Sequence, residues 1–374
     1  MGRVAMMAGV LAMGASAASA GGIERSTQPI GVLFEEGANY VELSYGRVRP
    51  SMDGTGVFTG IGTGGVAGNH YLPGIAIKHE FNDKLSGAFI YDHFYGADIE
   101  YPATGAPELA GTYANVQSEG YTALLRYKFN ENFSAHGGVR FSNASAAVGL
   151  SGLGYGAISG HKSAFGNSWG TGYVIGAAYE KPEIALRVAL TYQSKVKHSF
   201  DTIETAPVFA LVGLPASVLS TTDVNTPEAL NLDFQTGIAP NWLAFGSIRW
   251  VHWKQFKIDP VALNTITGSG LVDLENSTTY TLGVGHKFND TWSGSVFATW
   301  ENVGGDKNVS PLLPTDGYKG IGVAAIYKRD NMKVTAGVRY LKLGDASAAT
   351  AGAARANFND NYAVAAGIKV GFTF

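Results

Sequence analysis

The stretch that decides the fold is the last one, Asn361–Phe374, with the sequence NYAVAAGIKVGFTF. Apolar side chains occupy every second position from Tyr362 to Phe374, and small or polar side chains such as Lys369 occupy the alternate positions. This alternation predicts a β-strand with one apolar face. A chain that ends on such a strand with a terminal phenylalanine is typical of bacterial outer-membrane barrels. We therefore expect the outer-membrane assembly machinery as a partner.

The same alternation recurs upstream, in paired stretches joined by tight polar turns. Long segments rich in Gly, Ser, Thr and Asp separate these hairpins. Short turns at one end and long loops at the other are typical of outer-membrane barrels, with the turns in the periplasm. The turns are Phe81-Asn82-Asp83, Phe129-Asn130-Glu131, Glu180-Lys181-Pro182, Ala239-Pro240-Asn241, Phe288-Asn289-Asp290 and Arg329-Asp330-Asn331.

The pattern predicts an all-β fold, an antiparallel up-and-down transmembrane β-barrel of about 14 strands that covers residues 39–374. An even strand count puts both termini in the periplasm and leaves seven extracellular loops. The predicted strands are 39–48, 70–80, 84–94, 118–129, 133–142, 171–180, 183–195, 228–238, 242–253, 277–288, 291–301, 317–328, 332–343 and 361–374. The predicted loops are 49–69, 95–117, 143–170, 196–227, 257–276, 302–316 and 344–360.

Two segments precede the predicted barrel. Residues 1–20 have the pattern of a signal peptide, with Arg3, a short apolar run and the cleavage sequence Ala18-Ser19-Ala20. Residues 21–38 are then expected to be a short periplasmic plug segment. The chain has no cysteine, so its stability must come from packing and from closure of the sheet. A net charge of −3 offers no basic surface for nucleic acid.

Tryptophan spacing gives a dimensional check on the barrel. Trp292 and Trp300 share one face of a predicted strand, and Trp242 and Trp250 repeat the same spacing one hairpin earlier. At ~3.3 Å per residue and a ~40° tilt, this spacing covers about 20 Å across the membrane. That distance fits two aromatic girdles around an apolar band of ~25 Å. Core tryptophans of a soluble sandwich are the alternative.

Charged residues within the predicted strands identify the lumen face, because a charge on the lipid face costs ~2–4 kcal/mol. The resulting inner face is rich in arginine, which suits an anionic ligand held by charge-assisted hydrogen bonds. A structural network of arginines paired with carboxylates is the alternative. The inward residues are Glu42, Lys78, Asp92, Arg126, Arg140, Arg187, Asp233, Arg249, Arg339 and Lys369, of which the five arginines are candidate ligand contacts.

The predicted lumen is also partly apolar. If Arg249 points inward, alternation turns the large apolar residues of the same strand inward as well. An apolar lumen with a few cations suits an amphipathic anion such as a fatty acid. Apolar side chains that merely plug the barrel are the alternative. The apolar candidate contacts are Leu243, Phe245, Val251, Trp253 and Phe297.

The fourth predicted loop contains the apolar run Val208–Leu219. Such a run in a water-facing loop usually marks a contact site. We expect a short helix here that docks on the third loop and captures ligand, with a small loop core as the alternative. The capture candidates are Phe165 and Trp169 of the third loop and Phe209, Leu211, Val212 and Leu214 of the fourth.

Signatures of enzymes are weak in this chain. Gly166–Gly170 matches the nucleophile-elbow pattern but lacks its strand-to-helix setting, and Gly60–Gly65 has a dinucleotide spacing without a βαβ unit. The eight histidines are scattered without metal-ligand spacing. We expect no enzyme, no cofactor and no metal site, with a barrel phospholipase as a distant alternative.

Several segments resemble the FadL/TodX family of outer-membrane transporters for long-chain fatty acids and other hydrophobic compounds. They are Phe34–Val48, which leads into the first strand, and Thr226–Phe234 with Arg249–Phe256, which look like a strand pair that ends in a Trp-and-Phe segment. The resemblance extends over residues 29–374. It implies passive diffusion from a groove between loops three and four to an apolar lumenal pocket, then sideways at a kink in the third strand.

The N-terminal part differs from the family pattern. An N-terminal hatch closes the barrel in the family, but only Gly21–Ala38 precede the first strand, with Gln28-Pro29-Ile30 in place of an Asn-Pro-Ala element. A full hatch is not expected to fit, and the kink is expected at Gly87 or at Tyr95-Gly96.

The leading hypothesis is a monomeric uptake channel of the bacterial outer membrane for long-chain fatty acids or other hydrophobic small molecules. Lipopolysaccharide is expected around its outer loops. A general polar porin or a structural barrel is the alternative.

Overall fold

The computed structural model describes residues 23–27, 30–303 and 308–374. The predicted signal peptide, residues 1–20, lies outside the described residues, as do Gln28 and Pro29. Within the described ranges, no helix is long and apolar enough to cross a membrane.

A closed antiparallel barrel of 14 wall strands forms the molecule, as the sequence predicts. The strands in chain order are β1 (Asn39–Ser51), β2 (Thr55–Gly56), β3 (His70–Glu80), β4 (Leu85–Asp92), β5 (Gly96–Glu100), β6 (Tyr113–Lys128), β7 (Phe133–Leu150), β8 (His161–Lys181), β9 (Leu186–Gln193), β10 (Lys197–Thr205), β11 (Val218–Asn225), β12 (Ala229–Ala239), β13 (Trp242–Val251), β14 (Ser277–Lys287), β15 (Trp292–Val303), β16 (Asn308–Val309), β17 (Tyr318–Arg329), β18 (Met332–Leu343), β19 (Ala346–Thr350), β20 (Ala353–Phe358) and β21 (Tyr362–Thr373).

Three wall strands contain an interruption: β4 continues as β5, β9 as β10, and β11 as β12. The ring closes where β1 pairs with both β3 and β21. The helix α1 (Val261–Thr267) and short 3-10 turns at Gly31–Phe34, Leu153–Ile158, Pro182–Ile184, Pro207–Ala210 and Trp253–Gln255 complete the described structure.

Asparagine side chains explain the tight turns at the short-turn end of the barrel. The Asn82 side-chain oxygen accepts the backbone N–H groups of Lys84 and Leu85 at 3.0 and 2.9 Å. Asn130 and Asn289 repeat this arrangement in two other turns, so these three Phe-Asn pairs each fix one turn.

The outer and inner faces alternate as predicted. Trp242, Trp292 and Trp300 are each at least 40% exposed on the outer face, whereas Leu243, Phe245 and Phe297 are buried inside. Two clusters of buried apolar side chains fill the lumen. The upper one includes Tyr95, Trp253 and Phe256, and the lower one includes Leu33, Phe34 and Tyr40.

The prediction was wrong for the long loops. The predicted loops 143–170 and 196–227 consist largely of strand, because β7 pairs with β8, and β10 with β11, far beyond the predicted ends. The predicted loop 344–360 contains the hairpin β19–β20. These extensions carry Gly, Ser and Thr on a face that needs no lipid contact, so the apolar alternation that marks a transmembrane strand is missing.

Candidate functional site

An N-terminal stretch, residues 23–27, lies inside the barrel beside the interruption between β4 and β5. The Arg25 backbone N–H donates to the Phe94 carbonyl at 2.8 Å, and the Gly96 N–H donates to the Ile23 carbonyl at 2.8 Å. Glu24 also forms an isolated antiparallel bridge with Tyr95. The stretch thus pairs with the wall strand at the place where that strand no longer pairs with β3.

Arg249 anchors this stretch. Its Nε donates to a Glu24 carboxylate oxygen at 2.9 Å, and its Nη2 pairs with the other oxygen. Its Nη1 donates to Asn231 at 2.7 Å and to Gln193 at 3.1 Å. The strongest candidate for holding a ligand carboxylate is therefore already saturated by a carboxylate of the chain itself.

The other candidate arginines also point inward. Arg126 pairs with Glu180 and lies 4.3 Å from the ring centre of Phe34, which Arg187 approaches to 4.5 Å. Arg140 lies 4.7 Å from the ring centre of Phe94, and Arg339 lies 5.2 Å from that of Phe297. The structural network accounts for Arg126 and Arg249, and ligand contact by any of the five remains a prediction.

An apolar cavity of about 60 Å³, here called the luminal cavity, lies in the upper lumen. Ile23, Tyr95, Phe165, Phe200 and Phe256 are among the residues that line it. Phe165, predicted as a capture residue, lies on this cavity, and the apolar lumen candidates Val251 and Trp253 belong to the cluster around it. Phe245 and Phe297 pack separately with Ile326.

A second cavity of about 130 Å³, here called the wall cavity, lies against the inner side of β1, β3 and β4. Its lining combines apolar side chains such as Val32, Leu72 and Ile90 with the charged residues Arg25, Glu42, Asp92, Arg339 and Lys369.

Between β3 and the interrupted strand the barrel wall has a gap. The pairing of β3 with β4 ends at Ile75 and Tyr91, and the next contact is the bridge between Ala67 and Ile99. In the described part of the chain, no strand pairing joins residues 70–74 to residues 92–96; we call this gap the window. Pro73 lies at its edge and has no N–H to offer a neighbouring strand.

Outside the window lies a cleft of about 310 Å³, here called the outer cleft. Arg25, Leu72 and His93 line both this cleft and the wall cavity, so the two spaces meet at the window. The interruption falls at His93–Tyr95, next to the Tyr95-Gly96 position considered from sequence. Gly87, the other position considered, is paired regularly with His79 and Leu125.

The capture residues do not form one surface. Trp169 lies on strand β8 rather than in a loop; it is 61% exposed and stacks on Tyr121 with ring centres 6.0 Å apart. Phe165 lies on the same strand but points inward. The Gly166–Gly170 motif is likewise part of this strand.

The apolar run Val208–Leu219 is split between a loop core and an exposed tip. Phe209 is fully buried against the ring of His161, at 5.9 Å, and clusters with Val208 and Ala262. Leu214 packs at the edge of this cluster, whereas Leu211 is 84% and Val212 52% exposed. The run thus docks on α1 as well as on the third loop.

A vestibule of about 780 Å³ opens at the long-loop end of the barrel between segments 150–158, 257–275, 308–316 and 349–352. Lys257 and Leu150 line it, while their close sequence neighbours Ile258 and Val148 line the luminal cavity. The vestibule therefore lies directly above that cavity. Among the described residues, no group of His, Asp and Glu side chains is arranged to hold a metal ion.

Sequence reasoning missed Glu24, Arg25 and His93, which border the window or anchor its inner side. A charged Glu-Arg pair in a segment destined for an apolar lumen was the signal that could have indicated Glu24 and Arg25.

Comparison with known proteins identifies relatives of the whole chain. The sequence model described as "Outer membrane protein transport protein (OMPP1/FadL/TodX)" matches residues 2–374. A search of curated proteins finds no match.

Several solved structures have a similar fold. A FadL homologue of Pseudomonas aeruginosa has a TM-score of 0.75 at 13% identity, with 92% of each chain covered. The toluene transporter TodX of Pseudomonas putida has a TM-score of 0.63 at 11% identity, with 93% of each chain covered. The toluene transporter TbuX of Ralstonia pickettii has a TM-score of 0.62 at 13% identity, with 96% of this chain and 97% of that chain covered.

Proposed function

Because the chain belongs to the OMPP1/FadL/TodX family of outer-membrane channels for hydrophobic compounds, we propose that it takes up long-chain fatty acids or related hydrophobic molecules by passive diffusion. The observation that carries this proposal is the window, where the wall cavity and the outer cleft meet. A hydrophobic molecule that leaves through the wall enters the membrane without crossing water. The toluene transporters of similar fold widen the candidate ligands to neutral aromatic compounds.

The proposed path begins in the vestibule, passes the luminal cavity and ends at the window. A luminal cavity of about 60 Å³ is much smaller than the ~300–1,000 Å³ of usual ligand sites. Ile23 lines this cavity and would have to move when ligand binds. The N-terminal stretch is therefore proposed as a small plug, held by Glu24 on Arg249, whose displacement admits the ligand.

A general polar porin is less well supported. Water and small solutes need a continuous polar passage, whereas the upper lumen is filled by buried apolar side chains such as Trp253, Phe256 and Leu341. A structural barrel without transport remains as the outcome in which no uptake is measured.

The direct test is uptake by a deletion strain that carries the wild-type chain or an Ile23→Asp variant. We expect the wild type to restore uptake of radiolabelled hexadecanoate or toluene, and the variant to reduce it several-fold, because a carboxylate in an apolar cavity is unfavourable to both ligand and packing. A small sugar is the control solute. If the wild type accelerates only the sugar, the chain is a polar porin and the proposal is wrong. If it accelerates none of the three, the structural barrel is correct.

A further inference from the structure

We propose that Arg25 binds the anionic head of an amphipathic ligand at the window, and that it thereby selects hydrophobic acids over neutral molecules of the same size. This inference rests on the proposed uptake function and adds to it the chemical class of the preferred ligand.

The position of Arg25 is the first observation. Its side chain lines both the wall cavity and the outer cleft, so a molecule that passes through the window must pass it. Its backbone and its Nε hold it in place, since the Nε donates to the Gly96 carbonyl at 2.8 Å. The guanidinium is thus held at the window while the N-terminal stretch is docked.

The free hydrogen-bonding capacity of Arg25 is the second observation. The residue is only 6% exposed, and its Nη1 has no hydrogen-bond partner among the described residues. A buried guanidinium nitrogen without an acceptor is unfavourable, so a ligand that supplies one gains affinity. A carboxylate is the acceptor that a guanidinium binds best.

Two other cations in the lumen are neutralised by ion pairs, unlike Arg25. Arg249 is saturated by Glu24, and Lys369 pairs with Glu42 at 2.7 Å. Arg25 makes no ion pair within 4.0 Å in the described structure; Asp98 acts on it only at longer range. Asp92, also on the wall cavity, is held by the Ser26 hydroxyl at 2.5 Å. Arg25 therefore keeps positive charge and a donor available to a ligand.

The apolar surroundings define the rest of the ligand. Leu72, Ile90 and Val32 line the wall cavity beside Arg25, and Tyr71 extends the surface outside the window. A molecule with one carboxylate and a hydrocarbon chain matches both parts of this surface.

The experiment compares two ligands of equal chain length, hexadecanoate and hexadecan-1-ol, on the full-length protein in detergent. Binding is measured for the wild type, Arg25→Gln and Arg25→Lys. We expect the wild type to prefer the acid by about tenfold, because a hydrogen bond to a charged group contributes that much or more. Arg25→Gln should abolish the preference, and Arg25→Lys should keep most of it. The alcohol should bind all three variants within about twofold.

The controls distinguish a folding defect from a loss of selectivity. They also distinguish failure of the Arg25 proposal from failure of the uptake proposal. Heat-modifiable migration on a gel checks that each variant is a closed barrel. If Arg25→Gln folds and still prefers the acid, the assignment of Arg25 is wrong while the uptake function stands. If Arg25→Gln weakens both ligands equally, Arg25 only holds the segment, and the proposed selectivity is wrong. If the wild type binds neither ligand, the proposal for Arg25 is wrong, and the uptake function is left to the toluene arm of the uptake test.

Discussion

Two wall strands are each interrupted by a three-residue break, but only one of the two breaks lies beside a gap in the barrel wall. In one, residues 93–95 separate β4 from β5, and in the other, residues 194–196 separate β9 from β10. Each break is bridged by a serine hydroxyl. Ser118 accepts the Tyr95 N–H at 2.8 Å, and Ser194 accepts the Tyr173 N–H at 2.8 Å.

The break at 194–196 is closed on both sides. The Ser194 N–H donates to the Tyr173 carbonyl at 2.9 Å on the β8 side. On the other side the Val196 N–H donates to the Thr226 hydroxyl at 2.9 Å, and the Thr226 N–H returns a bond to the Val196 carbonyl at 2.9 Å. Both wall neighbours thus satisfy the irregular backbone, and the wall stays sealed.

Among the described wall residues, the break at 93–95 is bonded on the β6 side, through Ser118, and not on the β3 side. On the side of β3, the Phe94 carbonyl accepts the N–H groups of Arg25 and Ser26 in the N-terminal stretch, and the N–H of the adjacent Gly96 donates to the Ile23 carbonyl. A backbone in the membrane must have its hydrogen bonds satisfied, and a separate segment satisfies them here in place of the wall. A break in a wall strand therefore becomes a window when the segment that satisfies its backbone hydrogen bonds is separate from the wall and able to leave.

The largest effect is expected from a covalent bond across the window. Continuing the register of Ile75 with Tyr91 brings Pro73 opposite His93, and the chain contains no cysteine of its own. Pro73→Cys with His93→Cys, joined by a reducible thiol cross-linker, should lower uptake of hexadecanoate about tenfold because the lateral exit is blocked. Reduction should restore the uptake, which is measured in whole cells.

The matched control lies beside the other break. Tyr192→Cys with Leu230→Cys joins two residues that are already paired. This cross-link should leave uptake unchanged. Equal inhibition by both cross-links would contradict the idea that the two breaks differ.

A second large effect, on hydrogen exchange, is expected from the ion pair that anchors the N-terminal stretch. Glu24→Gln leaves Arg249 buried without its carboxylate, which costs about 3–5 kcal/mol when a buried pair is broken. The stretch should then detach more often, and hydrogen exchange of the Gly96 amide should accelerate at least about tenfold. Exchange of the Val196 amide at the sealed break should not change.

The same variant also distinguishes two roles of Arg249. If Arg249 acts through Glu24, Arg249→Ala and Glu24→Gln should both accelerate exchange at Gly96. If Arg249 instead holds a ligand carboxylate, Glu24→Gln should tighten binding of hexadecanoate, and Arg249→Ala should abolish it.

The sequence predicts the barrel well and the window poorly. Contact with lipid requires an apolar outer face. The strand that contains Trp292 and Trp300 can therefore be identified from its own alternation, without knowing which strands it pairs with. The direction of Arg249 and Phe297 follows from the same parity. The barrel was therefore predictable strand by strand.

The window depends on contacts between distant segments, and the alternation of residues along one strand does not indicate them. Glu24 and Arg249 are separated by 225 positions, and nothing in either local pattern indicates the other. Phe94 and Tyr95 are both buried, so the alternation slips at the break, but a single slip does not show which neighbour is lost. The pairing of Arg249 with Glu24 also depends on tertiary structure, which is why the sequence leaves ligand contact and a structural network open for this arginine.

A moderate effect is expected from the two bridging serines, which form a matched pair. Ser118→Ala removes the bonds to the backbone of Tyr95, and Ser194→Ala removes those to Tyr173 and Lys195. Each loss is worth about 0.5–1.5 kcal/mol locally, or roughly two- to tenfold in an opening equilibrium. Ser118→Ala should change the uptake rate by that factor, whereas Ser194→Ala should not, because both of its wall neighbours keep other bonds. A change of equal size in both variants would contradict this expectation.

The smallest effect concerns the extracellular support of the sealed break. The Glu204 carboxylate, at the end of β10, accepts the N–H groups of Ala262 and Leu263 at 2.8 and 2.9 Å, and His161 lies 3.6 Å from it. Burial lowers the pKa of His161, an effect that Glu204 partly opposes.

Because the folded-state pKa of His161 is below its unfolded value, the unfolded state binds more protons, and the stability contributed at neutral pH is lost as the pH falls below about 6.5. Exchange of the Ala262 and Leu263 amides, corrected for its intrinsic pH dependence, should therefore rise a few-fold between pH 7.5 and pH 5. His161→Gln should remove this dependence. Exchange at Val196 should stay unchanged throughout, because its bonds to Thr226 involve no titrating group; a parallel rise there would show that the sealed break depends on its extracellular support.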